Sequence, residues 1–248
     1  MNGIHLLDWF NSKTEVKGCE ASHMREHTLP EESDTANRRR AGRPRSVILD
    51  HELIAKAALK LLAEGGYAAF TMSALARSLS VSPSALYNHV NSKQELMQWI
   101  QELVMAGVDS SVFATLPLNE ALFEWAQTYR DVFAEHAPLI PLIAVLPVSE
   151  SPRTLEMYEE VAGGFVRAGH DQAAIVPAIV ALESFIFGSA LDATAPLDIF
   201  DPGQYTGKLP QFEGALEAQR ATGKNSADAA FLTGLRAIIA GLLATAAG

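Results

Sequence analysis

Between Thr71 and Lys93 the chain reads Thr-Met-Ser-Ala-Leu-Ala-Arg-Ser-Leu-Ser-Val-Ser-Pro-Ser-Ala-Leu-Tyr-Asn-His-Val-Asn-Ser-Lys, and this run leaves few ways to fold. Thr71 is a good N-cap, Leu75 and Leu79 repeat one turn apart, and Ser82-Pro83 places a cap before proline at the first helical position. Two short helices joined by a tight turn follow, with Ser92 capping a third. Within the second helix only Leu86 and Val90, at i and i+4, point inward, which leaves Ser84, Ala85, Tyr87, Asn88 and His89 facing out. A helix that exposes small, polar and aromatic groups from a rigid turn suits a helix-turn-helix. That motif lays the N-terminal residues of its second helix on base edges in the major groove.

The flanking residues complete a three-helix unit. Leu53, Ile54, Ala57, Ala58, Leu61 and Leu62 form an apolar stripe that predicts a helix from the cap Asp50 to Glu64, stopped by Gly65-Gly66. Tyr67 and Phe70 then pack beneath the unit as a staple. After it, Ser92-Lys-Gln-Glu95 is a capping box. Leu96, Trp99, Ile100, Leu103 and Val104 continue into a longer connector helix.

Charge singles out the same region. The net charge of -10 argues against a protein that coats nucleic acid indiscriminately. Residues 1–37 hold three Lys/Arg against seven Asp/Glu, residues 38–107 nine against five, and residues 108–248 seven against seventeen. Only the middle segment is positive and suits a polyanion. Its first residues, Arg38-Arg39-Arg40-Ala-Gly-Arg-Pro-Arg45, form a cationic arm that Gly42 and Pro44 keep out of a helix, placed to follow phosphates or enter the minor groove. Residues 1–37 lack a sustained period and read as a disordered or vector-derived extension, with Ser22-His23-Met24 resembling a cloning junction. Glu20 and His23 have metal-ligand spacing beside Cys19 but stand alone, so no metal or cofactor is expected. The single cysteine excludes an intrachain disulfide, and a short apolar start broken by Asp8 is not a signal peptide, which points to the cytoplasm. Gln172–Leu191 is long and apolar, yet Pro177 and Glu183 interrupt it, so a buried helix rather than a membrane span is predicted.

From about residue 108 the pattern is helical and acidic. Asn119-Glu120 opens a helix with Leu122, Phe123, Ala126, Tyr129, Val132 and Phe133 inside, followed by short pieces through Pro147. Ser151-Pro152 opens another through Leu155, Tyr158, Val161, Ala162, Phe165 and Val166, closed by Gly169. Asp171 caps a long helix to about Ala193. Residues 194–226, rich in Gly and Pro, read as a long irregular loop that covers a ligand entrance or reaches a partner subunit. The last helix, about Ser226 to Ala246, has a core face and a small-residue row, Ala230, Gly234, Ala237, Gly241 and Ala244, matched by Ala174, Ala178, Ala181, Ser184 and Gly188 on the preceding long helix. Such rows let helices approach closely, within one subunit or across a dimer.

Gly-Arg-Pro-Arg, a helix ending in Gly-Gly-Tyr, Phe-Thr-Met-Ser-Ala-Leu-Ala, Val-Ser-Pro-Ser-Ala-Leu-Tyr-Asn-His-Val and Ser-Lys-Gln-Glu-Leu together resemble the DNA-binding domain of the tetracycline-repressor (TetR) family of transcriptional regulators. The resemblance covers residues 42 to about 100. One departure is Ser80, where the family's turn usually carries glycine. The resemblance implies an all-α fold: basic arm and helix-turn-helix over 38–95, and a helical ligand-binding and dimerisation domain over 96–248. It implies Thr71 and Lys93 as phosphate contacts at helix N-termini, and Arg43, Arg45, Ser73, Ser82, Ser84, Ala85, Tyr87 and His89 as further DNA contacts. Packing of Tyr87 on Leu75 and helix capping by His89 are the competing roles. It also implies a homodimer through the last two long helices, reading a palindromic operator as double-stranded DNA. A small hydrophobic or amphipathic effector is expected among the middle helices, with Trp125, Tyr129, Phe133, Met157, Tyr158, Phe165, Glu183 and Phe187 as candidate lining. Glu183 is costly in an apolar helix unless paired, with a cationic group, Arg130 or Arg167, or plain exposure to solvent as the candidate resolutions.

An enzyme has little support, because the chain lacks a phosphate-binding glycine loop, a metal-spaced His/Cys set and a nucleophile elbow. The competing class is a helical dimeric interaction module without sequence-specific DNA binding.

Overall fold

The computed structural model describes residues 49–223 and 225–244, which hold ten α-helices and no strand. The basic arm, with Arg43 and Arg45, and residues 1–37 lie outside the described residues. Helix α1, His51–Ala69, starts where the Asp50 carboxylate accepts the Leu53 N–H at 2.7 Å. Its regular part ends at Gly66, whose φ of 67° no side-chain-bearing residue adopts cheaply. Helices α2 (Met72–Ser78), α3 (Pro83–Tyr87) and α4 (Lys93–Met105) follow. Five residues cannot sustain a helix in water. Helix α3 holds because Leu86, within it, and Val90, just past it, are fully buried with Ile54, Leu75, Leu96 and Ile100; such burial contributes about 2 kcal/mol per large side chain.

The second half comprises α5 (Leu118–Glu135), the single turn α6 (Ile140–Ile143), α7 (Pro152–Arg167), α8 (Gln172–Asp192), α9 (Pro210–Ala221) and α10 (Ser226–Ala244). Helix α5 packs against α8 and α10, α8 against α7 and α10, and α4 against both α1 and α7. Helix α4 therefore touches the core of the first three helices and the second half together.

Three expectations change. Leu155 and Val166 are exposed, and α7 instead buries Thr154, Met157, Val161, Gly164 and Phe165. The stretch read as a loop contains α9, whose start is held by the Glu213 carboxylate accepting the N–H groups of Gly207 and Leu209. Helix α8 is long and apolar enough to cross a membrane, as is α10, but it is not the buried helix expected: only 33% of its most apolar stretch is covered. Val176, Val180 and Leu191 stand exposed along it.

Candidate DNA interface and effector core

Three hydroxyls open three successive helices. Thr71 Oγ1 accepts the Ala74 N–H at 3.1 Å, Ser82 Oγ the Ala85 N–H at 3.1 Å, and Ser92 Oγ the Glu95 N–H at 3.0 Å. Capping occupies an acceptor site, so each hydroxyl keeps its O–H to donate to a phosphate oxygen. The Glu95 carboxylate closes the box one residue earlier than usual, accepting from the backbone N–H and side-chain amide of Asn91. The turn after α2 closes as a Schellman motif: Val81 N–H donates to the Ala76 carbonyl at 2.9 Å and Ser80 N–H to that of Arg77 at 3.0 Å. Ser80 sits at the left-handed position with φ 58°.

Thr71, Ser73, Ser82, Ser84, Tyr87 and His89 are exposed, and Ala85 and Lys93 are half-buried. Tyr87 is 51% exposed, so its ring is not consumed by packing on Leu75. Asn88 rather than His89 occupies the C-cap of α3. The sequence reading passed over Arg77, which is exposed one turn beyond Ser73 on α2. A cation near a helix C-terminus is ordinarily read as a dipole partner, which hid it.

Helix α4 is tied to α7 by buried polar groups. Ser151, at the N-cap position of α7, makes no cap bond. Its hydroxyl instead donates to Gln101 Oε1 at 3.2 Å, and Gln101 Nε2 donates to Thr154 Oγ1 at 3.4 Å. Beside them the Glu102 carboxylate accepts the Arg153 N–H at 3.2 Å. Ser151, Gln101 and Thr154 are all nearly inaccessible. Breaking one such bond strands a buried partner, at a cost of about 1–3 kcal/mol.

Most of the expected effector residues meet in one aromatic assembly. Tyr129 meets Trp125 edge-on with centroids 5.5 Å apart, Phe133 at 5.1 Å and Phe187 at 5.6 Å, and Phe133 meets Phe187 at 5.1 Å. The Tyr129 hydroxyl donates to Glu183 Oε1 at 3.0 Å, and the Tyr158 hydroxyl lies 3.0 Å from both carboxylate oxygens. Neither arginine considered as a partner of Glu183 reaches it. Arg130 pairs with Asp228 at 2.6 Å, and Arg167 donates to the Phe113 carbonyl at 2.6 Å. Burial pushes the Glu183 carboxyl up, and the two tyrosine hydroxyls pull it partly back. Burial, reinforced by the Glu183 charge, pushes both tyrosines up. Trp125 Nε1 is buried without a partner. Met157 is buried, and Phe165 lies edge-on to His170 at 5.0 Å, outside this hydrogen-bonded set. A separate groove of about 680 Å³ lies between the turn Ser111–Ala114, α5 and α10, lined by Val112, Leu116, Phe123, Arg236, Ile239 and Leu243 among others. None of the eight expected residues lines it.

A family model described as bacterial regulatory proteins, tetR family, matches residues 54–100, and one described as tetracyclin repressor-like, C-terminal domain, matches residues 117–246. The chain is similar to an HTH-type transcriptional regulator of Saccharopolyspora erythraea, 25% identical over 142 residues, which are 57% of this chain and 60% of that protein. The match thus spans less than two thirds of that relative's length. Tetracycline repressor protein class E of Escherichia coli is 28% identical over 189 residues, 75% of this chain and 87% of that protein. The fold is similar to that of the Streptomyces coelicolor TetR family protein ActR in complex with actinorhodin: TM-score 0.66, 23% identity, 80% of this chain and 97% of that one.

Proposed function

This chain belongs to the tetR family of bacterial regulatory proteins, and on that premise we propose that it is a cytoplasmic, homodimeric repressor that binds a palindromic operator and is released by a small hydrophobic or amphipathic effector. The family role is transcriptional regulation, not catalysis. The observation that carries the proposal is the placement of α4. It leaves the DNA-side head, packs on α1, and is pinned through Gln101 and Glu102 to α7, whose Tyr158 reaches the aromatic assembly. Tyr158 lies one turn beyond Thr154 on α7, so a ligand that shifts α7 carries α4 with it. The two head copies then change their separation.

The dimer proposal rests on the apolar surface left open by α8 and α10. Val176, Val180, Ala181, Ser184 and Gly188 on α8 and Ala230, Ala237, Gly241 and Ala244 on α10 are exposed. A pair of such helices from each subunit makes a four-helix bundle. The small-residue rows divide their labour: Ala178 is buried, and at Gly234 a Cβ would stand 2.6 Å from the Phe185 ring, so these two serve packing within the subunit. Contact with DNA is assigned to Thr71, Ser73, Ser82, Ser84, Ala85, Tyr87, His89 and Lys93, to Arg43 and Arg45 of the arm, and to Arg77. The head carries few bidentate base-reading side chains, so van der Waals contact, water and DNA shape supply much of the readout.

The test is selection of genomic fragments by the full-length protein, followed by titration of a selected duplex at several salt concentrations. Expected are a palindromic site, a steep salt dependence, weaker binding by Lys93→Ala and by deletion of Arg38–Arg45, and a dimer by light scattering. A monomer at micromolar concentration would overturn the dimer. Binding indifferent to salt and sequence would favour the interaction-module reading.

A further inference from the structure

We infer that Glu183, with Tyr129 and Tyr158, forms the anchor for a protonated amine on an aromatic effector, an inference that rests on the effector-responsive reading above. Among the described residues no Lys, Arg or His pairs with this carboxylate; Arg130 and Arg167 are committed to Asp228 and to the Phe113 carbonyl. A half-buried carboxylate without a cation is unfavourable for the folded state, and such groups mark sites whose partner arrives from outside. The tyrosine hydroxyls hold the group in place without neutralising it. Oε1 accepts from both tyrosines, whereas Oε2 accepts only from Tyr158 and has room for a second donor.

The surroundings select the rest of the ligand. Phe187, half-buried one turn along α8 from Glu183, stands within 5.1–5.6 Å of the buried Tyr129 and Phe133 rings. Aromatic faces beside a carboxylate attract an organic cation twice, through the charge pair and through cation–π contact. Glu183, Tyr158 and Phe187 are half-buried rather than sealed. The ligand is thus a flat or bulky apolar amine, not an acid. Its ammonium, donating to Oε2, competes for the carboxylate with Tyr158, the residue whose helix is tied to α4.

The probe is naphthylmethylammonium, compared with the neutral naphthylmethanol of the same shape, titrated calorimetrically into the full-length protein. The ammonium should bind about 10- to 100-fold more tightly than the alcohol, the range for a hydrogen bond to a charged group. That preference should vanish in Glu183→Gln, which keeps an acceptor for both tyrosines and removes the charge. Tyr158→Phe should blunt release of the operator duplex by the ammonium. Circular dichroism and melting confirm that both variants are folded. Equal affinity for the two probes, no binding of the ammonium, or a preference that survives Glu183→Gln would each overturn the inference. If the wild-type protein binds its operator but not the ammonium, this inference alone falls. If it binds no duplex, the regulator reading falls, whatever the calorimetry gives.

Discussion

Replacing Ser80 by glycine should make the protein more stable. Ser80 holds φ at 58° because the Schellman closure requires it: the Val81 and Ser80 N–H groups can reach the Ala76 and Arg77 carbonyls only if the chain turns left-handed there. A left-handed L-residue costs about 1–2 kcal/mol, and glycine removes that cost. Glycine also frees the unfolded chain, which returns about 0.5–1 kcal/mol. The Ser80 side chain is exposed, so no buried contact is lost. The net gain is about 0.5–1 kcal/mol, or a rise in melting temperature of about 1–4 °C for a chain of this size. Differential scanning calorimetry at one fixed protein concentration reads it, because an oligomer's melting point moves with concentration. Ser80→Val supplies the opposite sign: a β-branched residue is the least tolerant of this backbone, and the melting temperature should fall. A glycine variant that melts at or below the wild-type temperature would refute the argument. So would a valine variant that melts unchanged, since the turn then could not be left-handed in solution.

The Arg77→Ala variant should weaken duplex binding to a similar degree on specific and random sequence, and lower the slope of log affinity against log salt by about one, as expected for one lost phosphate contact; an unchanged slope would remove Arg77 from the interface. Because burial raises the folded-state value of Glu183 above its ordinary 4.5, its ionisation penalises the fold as pH rises through the window between the two values. Glu183→Gln should therefore be more stable than wild type at neutral pH, with the difference shrinking below the ordinary carboxylate value; urea melts across pH that ran parallel would contradict the shift. Gly234→Ala sets a Cβ 2.6 Å from Phe185 Cζ, an overpacking that should destabilise by about 1–3 kcal/mol; an unperturbed melt would show that the ring moves freely. Gln101→Ala strands the Ser151 and Thr154 hydroxyls and should leave operator affinity intact while reducing its response to effector, read by fluorescence anisotropy with and without ligand.

The DNA-side head is legible because its instructions are local. Thr71, Ser82 and Ser92 each cap within three residues, and Leu75, Leu86 and Val90 are buried by periodicity alone. Even the departure at Ser80 is readable as a left-handed residue in a position that favours glycine. Helix α9 was not legible for the opposite reason. It buries nothing, carries Gly214 in its middle, and is started by Glu213 folding back on Gly207 and Leu209, so neither an apolar stripe nor a conventional cap announces it. Helix α7 shows the limit of face assignment: Leu155 and Val166 satisfy an apolar pattern, but Thr154 takes the inner place because Gln101 of α4 waits for it. Glu183 marks the same limit. Its position in an apolar helix flags a missing partner, yet its hydrogen-bond donors stand 25 and 54 residues away in the chain. Periodicity gives a face and leaves the neighbour to the fold.

The shortness of α3 has a consequence for how operators change over time. Five residues rise about 7.5 Å, little more than two base-pair steps. In the proposed dimer one head therefore carries a small vocabulary, and much of the address is held in the interval between two copies of the word. Single base changes within a half-site should drift with modest penalty. An inserted base pair between half-sites rotates one of them by about 35° about the DNA axis and shifts it by about 3.4 Å along it, so the two heads no longer seat together without strain. Such a regulator is a caliper before it is a reader, and its targets should vary in spelling sooner than in spacing.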